Sequence, residues 1–148
     1  DRRRVESGLR AAAKETHATN WDGIMTPSHV EIELPWPPSV NTYWRRNGHI
    51  YFISAKGKQY RKDIYGIVQE RGVAHRFTER LSVDVLASPP DRRKRDLDNI
   101  LKSLFDSLTH AGVYEDDSQI DQIRIARLPD FIGRVYVTIV PIQTQTGG

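Results

Sequence analysis

At 148 residues the chain suffices for one domain with a buried core and is too short for two ordinary ones. Its 38% hydrophobic and 28% charged residues fit a soluble globular protein, and no apolar run approaches the roughly 20 residues that a membrane-spanning helix needs, so no membrane partner is expected. Cysteine is absent, which excludes disulfides and thiolate zinc sites and agrees with a cytoplasmic location; the net charge of +3 is by itself a weak argument for a nucleic-acid partner.

The first 24 residues, DRRRVESGLRAAAKETHATNWDGI, mix charged and small residues with few apolar positions. Such a segment cannot bury enough surface to order itself, so residues 1–24 are read as an extension or tag and residues 25–148, from the only methionine onward, as the working domain. Val30–Leu34 (VEIEL) alternates with period two and predicts a half-buried strand, ended by the prolines of Pro35–Ser39. Ile50–Ser54 predicts a second strand. Ser54 is then placed to cap a helix from Ala55 to Gly72, with Tyr60, Ile64, Ile67 and Val68 as its apolar stripe.

Leu81–Ala87 alternates again as a strand, stopped by Pro89 and Pro90. Leu97, Leu101, Leu104, Phe105 and Leu108 then fall on one helical face, and Gly112 is placed to end that helix. Gln119–Leu128 and Arg134–Ile142 close the chain as strands. The order β-β-α-β-α-β-β predicts a mixed sheet with two main helices packed on it, an α/β domain bordering on α+β.

Charge is distributed unevenly along this frame. Arg45, Arg46, Lys56, Lys58, Arg61 and Lys62 have one acid nearby, Asp63, and Arg92, Arg93, Lys94 and Arg95 form a second cluster. Two basic patches suit a polyanion, although a solvated charged face explains them as well. The second patch runs directly into Asp96, Leu97 and Asp98 at the start of a helix. Two readings are open at this point. Acids at a helix N-terminus complement its dipole by about 0.3–1 kcal/mol each, and Asp98 with Lys102 makes an ordinary i,i+4 pair.

The alternative depends on the loop after the helix, where Glu115, Asp116 and Asp117 follow one another. Should that loop meet the helix start, three carboxylates would converge. Each pair at about 4 Å would repel by roughly 4 kcal/mol at an effective dielectric near 20, more than the dipole offsets. Such a cluster needs a cation, and all-oxygen ligation selects Mg²⁺ or Mn²⁺. The ion would then act on a phosphodiester held by the basic run, with Lys102 stabilising charge on the phosphoryl or leaving oxygen.

Three segments, LPWPPSVNTYWR, PDRRKRDLDNILKSLFDSL and AGVYEDDSQI, occur here in the order and spacing of the RusA family of Holliday-junction resolvases, which the chain resembles from about Ile32 to Leu128. The resemblance implies a metal-dependent endonuclease, active as a homodimer, that cuts four-way DNA junctions by paired symmetric nicks in recombination and repair. It implies catalytic and metal-binding roles for Asp96, Asp98 and Asp117, with Asp116 competing for the third place, and a catalytic role for Lys102. It also implies DNA contacts by Arg92, Arg93, Lys94 and Arg95. Homodimerisation has a physical reason as well, because a junction offers two phosphodiesters related by a two-fold axis. Two other functions compete: a non-catalytic DNA-binding protein, and a nuclease of the same chemistry acting on other branched or duplex DNA.

Trp36, Tyr43 and Trp44 either pack the proline-rich turn or stack on exposed bases, and packing is the commoner use. His49, His75 and His110 lack ligand spacing and receive no chemistry. The absence of a glycine-rich phosphate loop argues against a nucleotide cofactor.

Overall fold

A computed structural model of the chain describes residues 29–142. The expected extension, residues 1–24, and the boundary near Met25 lie outside the described residues. In chain order the elements are β1 (Val30–Pro35), α1 (Val40–Tyr43), β2 (Trp44–Asn47), β3 (Ile50–Ile53), α2 (Ala55–Arg71), β4 (Leu81–Ser88), a 3₁₀ turn (Leu97–Ile100), α3 (Leu101–Ala111), a second 3₁₀ turn (Asp117–Gln119), β5 (Ile120–Arg127) and β6 (Arg134–Pro141).

The main sheet has four strands in the order β1-β6-β4-β5. Its alternating positions sort the side chains by face: Val30, Ile32 and Leu34 of β1, Leu81, Val83, Val85 and Ala87 of β4, and Val135, Val137 and Ile139 of β6 join one core. Tyr60, Ile64 and Val68 of α2 and Leu104 and Leu108 of α3 complete it. Each fully buried Leu or Ile contributes about 1.5–3 kcal/mol by leaving water.

The start of α2 and the end of α3 fall where their sequence directs. Ser54 Oγ accepts the Gly57 amide at 3.0 Å and donates to the Thr42 carbonyl at 2.6 Å, so one hydroxyl caps α2 and ties it to the end of α1. Gly112 ends α3 at φ +85°, where a residue with a Cβ would be strained, and its amide donates to the Leu108 and Thr109 carbonyls.

Three features depart from the sequence reading or add to it. Residues 40–47, to which the sequence reading assigns no element, form a single helical turn and a strand, and that strand pairs only with β3, as a two-stranded ribbon separate from the main sheet. The helix expected from Asp96 starts as a 3₁₀ turn and becomes α-helical at Leu101. The main sheet is mixed as expected, but its one parallel pair, β4 with β5, sets Leu81 opposite Ile120 and Ala87 opposite Arg127. Two faces of secondary structure with a separate ribbon make the architecture mixed α+β.

Candidate active site

The parallel pairing of β4 and β5 decides how the acidic segments can meet. The chain leaves β4 at its C-terminal end to reach Asp96 and Asp98, whereas the Glu115–Gln119 segment enters β5 opposite the N-terminal end of β4. The two junctions therefore lie at opposite ends of the strands. What links them is α3. After Gly112 the chain folds back against the helix, where the buried Tyr114 hydroxyl donates to the Phe105 carbonyl at 2.7 Å. This return brings Asp117 Oδ2 to 3.7 Å from Lys102 Nζ, on the second turn counted from Asp98.

Asp96 occupies the N-cap position of the 3₁₀ turn in extended backbone, yet its carboxylate caps nothing; the Asn99 amide bonds to the Asp96 carbonyl instead, at 3.2 Å. Asp98 is exposed in the first turn, and the ion pair of Lys102 is with Asp117 rather than with Asp98. Among the described residues neither Asp96 nor Asp98 has a side-chain hydrogen bond or an ion pair. Capping and i,i+4 pairing therefore do not account for these two acids.

Asp116 is different. Its side chain accepts both the amide and the hydroxyl of Ser118, and the Gln119 side chain returns to the Asp116 amide at 2.7 Å, a complete capping box. The Ser118 hydroxyl, and then its amide, hold the Asp116 carboxyl below the usual carboxylate range. Buried Gln119 also donates to the carbonyls of Phe77 and Glu79, at 2.8 Å each, which fastens the corner to the segment leading into β4. Gln119 is a positioning residue that the sequence reading passed over, although Asp-x-x-Gln ahead of a strand is the capping-box signal that marks it.

Among the described residues, no three Asp, Glu or His side chains gather into a preformed metal cage. The donor chemistry nevertheless fits a hard divalent ion. Asp96 and Asp98 offer exposed carboxylate oxygens with no competing partner, and Mg²⁺ is commonly held by one or two carboxylates with retained waters and substrate phosphate.

A cleft of about 630 Å³ adjoins Asp96, walled by Trp36, Pro38, Arg93, Arg95 and Asn99. Buried Ser103 of α3 donates to the Pro38 carbonyl at 2.6 Å, so the proline segment is fixed over the helix start. The basic run on the other wall is an ordered turn. Asp91 Oδ1 accepts the Arg93 amide at 2.9 Å and the Arg95 guanidinium at 2.6 Å. Arg95 is thus held inward, and its carbonyl accepts from Arg127 at 2.7 Å. Arg92 lies over the Phe131 ring, 5.2 Å from its centroid, while Arg93 and Lys94 face solvent. Of the four cations expected to face DNA, Arg95 organises the loop.

Other expectations resolve as packing. Tyr43 is fully buried, edge-on to Trp44, and donates to Asp106 of α3, which also ion-pairs with Arg61 at 2.5 Å. Arg61 is therefore committed to joining α2 and α3 rather than free for phosphate. Trp36 packs against the core and lines the cleft.

The sequence profile of the family described as "Endodeoxyribonuclease RusA" matches residues 35–140. A protein of Enterobacteria phage HK97 named crossover junction endodeoxyribonuclease rusA is 55% identical over 100 residues, 68% of this chain and 83% of its own. A Shigella sonnei protein of the same name is 40% identical over 115 residues, 77% of this chain and 96% of its own. The periplasmic domain of Helicobacter pylori MotB aligns at 14% identity with a TM-score of 0.35 over 86% of this chain and 85% of its own, a likeness too slight to bear on fold or function.

Proposed function

Since the chain belongs to the RusA endodeoxyribonuclease family, we propose that it is a Mg²⁺-dependent endonuclease that resolves four-way DNA junctions by hydrolysing paired phosphodiesters. The observation that carries this reading is the contact of Lys102 with Asp117, which draws the second acidic segment to the helix that opens with two unpartnered acids. Asp96, Asp98 and Asp117 would hold the divalent ion, Mn²⁺ serving as a substitute. Bound there, the ion would polarise the phosphoryl oxygen and lower the cost of forming hydroxide from water.

The chain's own residues do the rest. Arg93 and Lys94, exposed on the ordered turn, contact backbone phosphates beside the cleft, and Arg92 contributes from its seat on Phe131. Asp91 and Arg95 hold that turn in shape. Gln119 and Asp116 fix the corner so that Asp117 faces the helix. Lys102 keeps an ammonium within reach of the charge that develops on the phosphoryl and leaving oxygens. Cutting both strands symmetrically requires two copies of the site related by a two-fold axis, so the active species is a homodimer.

The test is cleavage of a synthetic four-way junction and a matched linear duplex in Mg²⁺ or EDTA. Wild type is expected to nick the junction at symmetric positions in Mg²⁺ only. Asp98→Asn should lose at least a thousandfold in cleavage rate while binding the junction as well or better, because a repulsive charge is removed. Undiminished cutting by that variant would exclude Asp98 from the chemistry. Binding without cutting by wild type would make the protein a non-catalytic binder, and equal cutting of linear duplex would make it a nuclease of broader choice.

A further inference from the structure

The ribbon formed by β2 and β3 carries the two most exposed large apolar side chains among the described residues, Ile50 and Tyr51, with Phe52 beside them. Ile50 is 68% exposed, Tyr51 65% and Phe52 45%. Its root is anchored: Trp44 rests edge-on against buried Tyr43, and Ile53 packs over Gly57 at the start of α2. Beyond the root every residue from Arg45 to Phe52 is exposed, so the strands project from the domain around a two-residue turn at Gly48 and His49.

The cross-strand register pairs a cation with a ring twice. Arg46 stands opposite Tyr51, its guanidinium carbon 5.7 Å from the ring centroid, and Arg45 stands opposite Phe52. Successive strand residues point to opposite faces, so each face of the ribbon carries one arginine and one aromatic ring. The surrounding charge is of one sign. From Val40 to Lys62 there are six Lys and Arg residues and no Asp or Glu. An apolar contact between copies of the chain would bring these cations together, whereas a polyanion would be attracted by them. The ribbon follows directly on α1, whose Thr42 lines the cleft beside Asp96.

We propose that the β2–β3 ribbon reads the branch point, its arginines on phosphates and the rings of Tyr51 and Phe52 stacked on bases that lack a neighbour there. This rests on the DNA-junction reading given above and adds to it the element that favours branched over plain DNA. The reason is the geometry of the substrate. Aromatic stacking stabilises binding where a base face is already open, but on continuous duplex it requires unstacking a base step.

The experiment compares wild type with the double variant Tyr51→Ala/Phe52→Ala, in EDTA, on a four-way junction and on matched duplex. The junction carries 2-aminopurine beside the crossover, or in an arm as control. Both rings are exposed, so the fold should persist, as circular dichroism checks. The variant is expected to bind the junction roughly five- to a hundredfold more weakly, to bind duplex within twofold of wild type, and to lose the 2-aminopurine response at the crossover only. Tyr51→Trp/Phe52→Trp should restore preference and signal. Unchanged junction preference in the alanine variant would overturn the proposal while leaving the endonuclease reading intact. A smaller assembly of that variant in sedimentation would overturn it in favour of a contact between protomers. Wild type that binds neither DNA would overturn both readings.

Discussion

Asp91 gives the basic turn its shape through a carboxylate that accepts from Arg95 and from the Arg93 amide. The Arg95 hydrogen bond, and behind it the Arg93 amide, lowers the Asp91 carboxyl from 3.8 to about 2. A carboxyl depressed in this way contributes stability that is complete above its unfolded value and is lost as pH falls through about 2. Between about pH 5 and 9 the latch is constant, so any pH dependence of DNA binding in that window comes from other groups. Asp91→Asn is therefore expected to weaken junction binding a few-fold at neutral pH. It should also remove the part of the acid destabilisation that wild type shows between about pH 4 and 2, which melting curves across that range would reveal. Asp91 lay beside the cluster in the sequence without a signal of its own, because a charged residue before four cations reads as solvated. The neighbouring acids were legible as a group but not by role. Only coordinates separate Asp116, engaged in a capping box, from Asp117, which faces Lys102, and from Asp96, which caps nothing.

At the scale of elements, α2 and α3 were legible because long apolar periodicity and end residues act locally: Ser54, Gly72 and Gly112 stand where the helices begin and end. The short helix α1 and the ribbon were not. A four-residue element has too few internal hydrogen bonds to hold itself, and α1 exists because Tyr43 is buried against α3 and Ser54 bonds to Thr42. Gly57 marks the same junction. A Cβ there would lie 2.7 Å from Ile53 Cγ2 and 2.8 Å from the Tyr43 carbonyl oxygen, so backbone would have to move. Gly66, on the same helix, has nothing within 4 Å. Gly66→Ala is expected to stabilise by about 0.5–1 kcal/mol through helix propensity. Gly57→Ala should destabilise by about 1–2 kcal/mol, since overpacking outweighs the same propensity gain, and thermal melts of the two variants should move in opposite directions.

Across the whole molecule a net charge of +3 conceals local concentrations of exposed cations, which give the Asp91 turn, the ribbon and α2 a basic surface. Binding through that surface releases counterions. The logarithm of affinity should fall against the logarithm of salt with a slope of about −0.9 per phosphate contact on duplex arms. Arg93→Ala/Lys94→Ala is expected to make the slope shallower by about two units, and an unaltered slope would remove that turn from the interface.

The crossover from β4 through α3 to β5 also orders events in time. Asp98 and Asp117 are nineteen residues apart along the chain, and they reach the same helix only after the return segment has docked and the parallel strand has found its register. Parallel pairing across a helix is among the slower steps available to a folding chain. On the metal-dependent reading proposed above, affinity for the divalent ion should accordingly emerge with the last kinetic phase of refolding, after the helices have formed, and a nascent chain would stay harmless to DNA until β5 is in place.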